Sequence, residues 1–177
     1  MKRVLLILLT LLLALSLFAS CGKEKNTVVE EFTDRTASPA KEYKDAKDLI
    51  RSGAVPLEVP ESVAPDAKYY LIAGDVSNIQ FAWEERNFDF RTASGERDYR
   101  ELLGITDVNE DDLIAMNAVI GDQTTDILVY HAENGTLGTW YIDGNTYTVF
   151  TPDKIEDAAF CALCNDLFVS AHDILEK

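Results

Sequence analysis

Three cysteines and two histidines give this 177-residue chain its widest chemical range. Cys161 and Cys164 form a C-x-x-C, the spacing of thiol–disulfide redox pairs. Active pairs of this kind sit at a helix N-terminus, where the dipole lowers the thiol pKa. Here the pair falls well inside a predicted helix, with only Ala162 and Leu163 between the thiols. On a helical wheel Cys164 lies in an apolar stripe and Cys161 about 60° to its side. That position favours two small buried side chains. An i,i+3 disulfide in an oxidising compartment is the alternative, strained because it would sit mid-helix. His172 falls on roughly the same helix side, but three ligands on one short helix cannot close a tetrahedral zinc site. No metal or other cofactor is expected.

Asp107, Asn109 and Asp111 match the opening of a calcium loop, D-x-N-x-D. The sixth position is Asp112 instead of Gly and the twelfth is Ala118 instead of a bidentate Glu, so a solvated acidic turn is expected. His131 lies in a predicted strand, away from any recognisable nucleophile motif. G-x-S-x-G, H-E-x-x-H, the P-loop and G-x-G-x-x-G are all missing, so acid–base chemistry would rest on carboxylates. The pairs Glu84/Glu85 and Asp111/Asp112 are adjacent in sequence and mostly point apart. Trp83, Trp140, Tyr141 and Tyr147 are candidates for lining a ligand groove, although aromatics at such spacing more often fill a sheet–helix core. Asn134-Gly135-Thr136 is formally a glycosylation sequon, and a hairpin turn accounts for it equally well.

The remaining cysteine, Cys21, has a different context. Lys2 and Arg3 precede an apolar run from Val4 to Phe18 that is short for a bilayer span, which needs about 20 residues. It ends in Leu17-Phe18-Ala19-Ser20-Cys21-Gly22, which resembles a bacterial lipobox, with small residues directly before a cysteine. Phe18 departs from the aliphatic residue usual there. The resemblance implies cleavage before Cys21 and a diacylglycerol thioether on its sulfur. Residues 1–20 then form a signal peptide, 21–37 a flexible polar tether, and 38–177 a single domain. The expected location is the cell membrane, lipid-anchored on the extracytoplasmic face.

Charge is distributed unevenly. The whole chain carries a formal −15, yet its first twenty residues hold Lys2 and Arg3 and no acid, so the rest is more acidic still. Such a balance argues against nucleic acid, whose binding depends on Lys and Arg at phosphates. It equally disfavours electrostatic docking on anionic lipid.

The elements that must position these residues read as one α+β domain. Ser38-Pro39 looks like a helix start, and Tyr43, Ala46, Leu49 and Ile50 follow at helical spacing until Gly53, predicting a helix over 39–52. Pro56, Pro60 and Pro65 impose an extended connection. From Lys68 the period becomes two, with strands expected over 69–73, 79–83 and 88–90. After a polar stretch with Leu102, Leu103 and Ile105 as packing points, strands are expected over 113–120, 126–132, 137–142 and 146–150. Asn134-Gly135 and Asp143-Gly144 mark hairpins, so the last three strands should form an antiparallel meander. A long terminal helix capped by Thr151 should lay Phe160, Leu163, Cys164, Leu167, Phe168, Ala171 and Ile174 on one sheet face. The expected fold is therefore an antiparallel sheet with a meander, flanked by an N-terminal helix and packed against a long C-terminal one.

The order of a helix ending at Gly53, Val55-Pro56, Val59-Pro60-Glu61 and Lys68-Tyr69-Tyr70 carries a family resemblance. So do Asn78-Ile79-Gln80-Phe81, Phe90-Arg91-Thr92-Ala93-Ser94-Gly95 and the run from Gly138-Thr139-Trp140 to Asn145-Thr146-Tyr147. This series resembles the domain of unknown function 4367 family, found in clostridial lipoproteins and in the outer parts of some anti-sigma-factor-like membrane proteins. The resemblance implies the fold and an extracytoplasmic setting, and transfers no catalytic residue. The function expected is a non-enzymatic, membrane-tethered interaction or sensory module for a protein or envelope ligand. The alternatives are a carboxylate-based or metal-assisted cell-envelope hydrolase, and a carrier of an apolar ligand with an open cavity of several hundred Å³ between sheet and helix.

Overall fold

The computed structural model describes residues 26–29, 38–105 and 108–175. Nine strands make one antiparallel sheet: β1 (Asn26–Val29), β2 (Ser38–Tyr43), β3 (Lys68–Ile72), β4 (Val76–Trp83), β5 (Arg86–Ser94), β6 (Val108–Ile120), β7 (Gln123–Ala132), β8 (Gly135–Ile142) and β9 (Asn145–Thr151). Three helices are described: α1 (Ala46–Arg51), α2 (Tyr99–Leu103) and α3 (Asp157–Leu175). The spatial order is β1-β2-β3-β4-β5-β9-β8-β7-β6. Two meanders, β1 to β5 and β6 to β9, therefore meet where β5 pairs with β9, and β1 and β6 are the outer edges.

Tight turns set this connectivity. Asp143 and Gly144 both have positive φ (52° and 75°), the backbone of a two-residue hairpin whose twist matches its strands. Glu84 and Glu85 adopt the same left-handed conformation (49° and 64°) between Trp83 and Arg86. Side chains with a Cβ enter that region at a steric cost.

Alternation then divides the sheet into two faces. Ile79, Phe81, Phe88, Phe90, Trp140, Tyr147 and Val149 point to one face, against Phe160, Leu163, Leu167 and Phe168 of α3. Leu57, Val59 and Ala64 of the proline-spaced connection complete this main core. Ser77 Oγ donates to the Val55 carbonyl (2.6 Å), fastening that connection to β4. The other face carries two smaller clusters under α2, one with Tyr70, Ile72, Ala93 and Leu102, the other with Tyr99, Leu103, Tyr130, Leu137 and Phe150. Between them runs a buried polar row across four strands: Asn78 opposite Arg91, Arg91 opposite Thr148, and Thr148 opposite Thr139.

Asp89 and Arg91 form an ion pair at 3.1 Å in that layer, both side chains almost wholly buried. Arg91 Nη1 also donates to the Leu102 carbonyl (2.7 Å), which pins α2 to the sheet. Burial raises the Asp89 carboxyl above its ordinary value, and Arg91, Asn78 and Gln80 only partly offset that.

The expected fold class is present: an antiparallel sheet with a meander, with helices and a long C-terminal helix on one face. The bounds at both ends differ. The predicted helix over 39–52 is a strand over Ser38–Tyr43 followed by the shorter α1. Pro39 suits either element, because a fixed φ and a missing N–H fit an extended strand as well as a first helical turn. The true cap is Asp45, whose carboxylate accepts from Asp48 N (2.9 Å). Thr151 likewise ends β9 opposite Thr136 instead of capping α3, which begins at Asp157. Within the expected tether, Asn26–Val29 pairs with Ser38–Lys41 as β1. Cys21, Asp107 and the Ile174 side chain lie outside the described residues.

At Gly138 a Cβ would stand 2.7 Å from Cys164 Sγ and 3.2 Å from Val149, so α3 sits on β8 at a separation only glycine permits. Gly138→Ala should cost about 1–3 kcal/mol, the range for overpacking a filled core. Part of the loss should return in the double variant with Cys164→Ala, measured by urea unfolding. Full additivity of the two changes would disprove the contact. Replacing Glu84-Glu85 by Asn-Gly relieves the turn backbone and should stabilise the domain by about 1 kcal/mol in the same assay.

Candidate functional site

The four candidate aromatics do not share a groove. Trp140 and Tyr147 stack on each other in the main core (5.6 Å between centroids, 8° apart) and are buried. Burial pushes the Tyr147 phenol up to about 12, with Thr92 pulling the other way. Trp83 is half-buried and meets Phe88 edge-on at 6.0 Å. Tyr141 follows Trp140 in β8, so it points to the opposite face and is exposed.

Both cysteines of the C-x-x-C are free thiols. Cys164 is fully buried against Gly138, and burial drives its pKa well up. Cys161 is partly exposed, and burial together with the Asp157 carboxylate raises it too. Both shifts favour the inert thiol over the nucleophilic thiolate. The pair serves the packing of α3 onto the sheet.

Each histidine braces an end of α3. His131 Nε2 lies 3.0 Å from Asp157 Oδ1, joining β7 to the first residue of α3. His172 Nδ1 lies 3.1 Å from Asp143 Oδ2, and Gln123 Nε2 donates to the other oxygen (2.9 Å). The second pair ties the helix C-terminus to the β8–β9 turn. Neither histidine was expected to find a carboxylate, since each pair links positions 26 or 29 residues apart.

The described acids do not converge. Where a solvated acidic turn was expected, the segment is the bulged start of β6, in which Asn109 Nδ2 donates to Asp112 (2.7 Å) and Asn109 Oδ1 accepts from Asp111 N (3.1 Å). Among the described residues, no three His, Cys, Asp or Glu side chains gather as metal ligands would. Two surface concavities are notable. One of about 440 Å³ lies between the connection at Pro60 and Val63 and α3 at Val169 and Asp173. The other, about 550 Å³, lies among Asn109, Asp112, His131, Glu133 and Lys154. His131 in that concavity and its partner Asp157 keep 30% and 56% of their side-chain exposure, so water reaches both.

That second concavity adjoins the most unusual surface of the molecule, strand β6. Its pairing with β7 slips between Asn109 and Ile114, so the segment from Glu110 to Leu113 bulges from the sheet. Glu110 is held there by an ion pair with Arg100 of α2. Beyond the bulge, Ile114 to Ile120 is regular and uncharged, and ends at Gly121-Asp122. Ile114, Met116 and Ile120 lean partly exposed against the rim of the main core. On the opposite face Val119 is 62% exposed, with Tyr141 (44%) on the same face two strands in, and Leu113 in the bulge is 43% exposed. The outer side of β6 bears no further strand among the described residues.

Sequence periodicity had placed a strand over 113–120 but could not tell that it would be an edge. Edge position follows from the order of nine strands, which no local pattern encodes. No family model, curated protein or solved structure matches the chain, so the resemblance stated above rests on its motifs alone.

Thiol labelling tests the packing role of the cysteines. In the native protein Cys161→Ala should lower the number of thiols that react with a disulfide reagent within minutes. Cys164→Ala should leave that number unchanged, and the Cys164 thiol should react only after denaturation. A native Cys161–Cys164 disulfide would instead make Cys164→Ala gain a reactive thiol, the released Cys161.

Proposed function

We propose that this chain is a lipid-anchored, extracytoplasmic interaction module that binds a protein through the β6 end of its sheet. The single observation carrying the binding assignment is where apolar surface remains. Of the large hydrophobic side chains left exposed, Val119 and Tyr141 share one sheet face and Leu113 stands in the adjoining bulge, with β6 at the border of the sheet and no further strand on its outer side among the described residues. Aligned exposure of this kind marks interaction sites more often than scattered surface apolars do.

The anchor rests on the basic start, the short apolar run and the cysteine in register with them. Among the described residues no helix is long and apolar enough to cross a membrane. A lipid on Cys21 would hold the domain at the surface, with the short polar segment between Cys21 and β1 setting its distance.

The alternatives draw less support. An apolar-ligand carrier needs space between the sheet and α3, where Phe160, Leu163, Leu167 and Phe168 fill the gap at no more than 1% exposure. A carboxylate hydrolase needs acids held together away from water. The acids of the larger concavity are instead spread around a shallow rim.

Membrane fractionation in a bacterial host tests the anchor. The native chain should pellet with membranes and carry the added mass of a diacylglycerol, whereas Cys21→Ala should lose the lipid mass. If Cys21→Ala remains membrane-bound with its mass unchanged, the anchor is disproved.

A further inference from the structure

We infer that the free edge of β6 takes up an extended peptide as a tenth strand, and that this peptide is apolar in its middle and basic at both ends. The inference rests on the interaction reading above and adds the chemistry of the partner.

The geometry comes first. Ile114 to Ile120 is about seven residues of edge strand, about 23 Å at strand spacing, paired with β7 on its inner side alone among the described residues. Its N–H and C=O groups on the outer side have no strand to meet among the described residues. Exposed edges are commonly blunted by a lysine, a proline or an inward charge. The stretch Ile114-Ala115-Met116-Asn117-Ala118-Val119-Ile120 contains none of these. Backbone pairing along such an edge supplies affinity, and alternate side chains supply selection.

Side-chain placement sets what the guest must carry in its middle. On the α3 face, Ile114, Met116 and Ile120 stand half-covered at the core rim, so guest side chains pointing that way extend an apolar core. On the other face, Ala115 and Val119 are exposed with Asn117 between them, and Asn117 donates to Asp126 (3.2 Å). Small or β-branched guest residues fit that flatter side.

Charge sets the ends, and it decides between two occupants. Asp111 and Asp112 stand at one end of the uncharged stretch and Asp122 at the other, all exposed. Glu110 is already engaged by Arg100. A second copy of this chain, pairing antiparallel about Asn117, would set Asp112 of each copy opposite Asp122 of the other. Like charges directly opposite destabilise a strand pair. A peptide with Lys or Arg at both ends makes the same two meetings favourable.

The test uses the full chain in detergent and three labelled peptides, read by fluorescence anisotropy at about 0.1 M salt. The first is Lys-Lys-Thr-Val-Thr-Val-Thr-Val-Thr-Lys-Lys. The second has glutamate in place of the four lysines, and the third has proline in place of the central valine. The lysine-ended peptide should bind at least about tenfold more tightly than either of the others. Its binding should slow hydrogen exchange across Ile114–Ile120. Val119→Lys should weaken it about fivefold or more, while Val169→Lys, a matched exposed change on α3, should not. Equal binding of the lysine and glutamate peptides would overturn the inference. So would loss of binding in both lysine variants alike, or a sedimenting dimer that Val119→Lys dissolves. The peptide comparison needs no variant, so it holds even if a substitution unfolds the chain. Failure of the Cys21→Ala fractionation would remove the anchor and leave these peptide results standing.

Discussion

The pairing of β5 with β9 holds the two meanders in one sheet, and α2 is seated on it. Six residue pairs from Asp89–Phe150 to Ser94–Asn145 form that seam. It is reinforced at one end, where Thr92 Oγ1 donates to the Thr146 carbonyl and Thr146 Oγ1 to that of Gly95, both under 3.0 Å. Gly95 N donates to the Gly144 carbonyl (2.7 Å), so the β8–β9 turn is fastened to the end of β5. Beneath α2, the Asp89–Arg91 pair lies within the seam itself. A buried ion pair adds little net stability, because desolvation offsets attraction, but losing one partner costs several kcal/mol. Its effect here is selective: Arg91 must face Leu102, which fixes both the register of β5 and the seat of α2.

Filling both faces of the seam uses up most of the residues with chemical range. Trp140 and Tyr147 become core, Cys164 becomes the contact that lets α3 descend on Gly138, and both histidines become braces for α3. What stays outside the packing is the far edge of the second meander. α3 comes close to that edge strand and buries Ala118, but leaves Ile114, Met116 and Ile120 only partly enclosed.

Much of this was readable residue by residue. Alternation in Ile79-Gln80-Phe81 and helical spacing from Phe160 to Ala171 named the faces that do become buried. The turn at Asp143-Gly144 named its hairpin, as did Asn134-Gly135, although Gly135 proves to be the first residue of β8. Alternation also separates Tyr141 from Trp140, which rules out a shared groove without any structure. Three things were not readable. Ser38-Pro39 is compatible with a helix start and an extended strand, and only pairing with β1 and β3 chooses. The β5–β9 seam joins segments some fifty residues apart, too far for local pattern to register. The run Val108 to Asp112 reads as loop because acids fit poorly in a strand, yet a bulge and Arg100 hold it in β6.

The acidity of the chain also acquires a sharper meaning at that edge. A formal −15 spread over the molecule repels another copy at long range, but salt screens such repulsion beyond about 8–10 Å. Asp111, Asp112 and Asp122 act differently, because they flank the open backbone and lie well within a screening length of any strand paired there. Their influence therefore survives at physiological salt, where the net charge is largely masked. The placement of a few acids, more than their total, sets the charge that any strand paired there would meet.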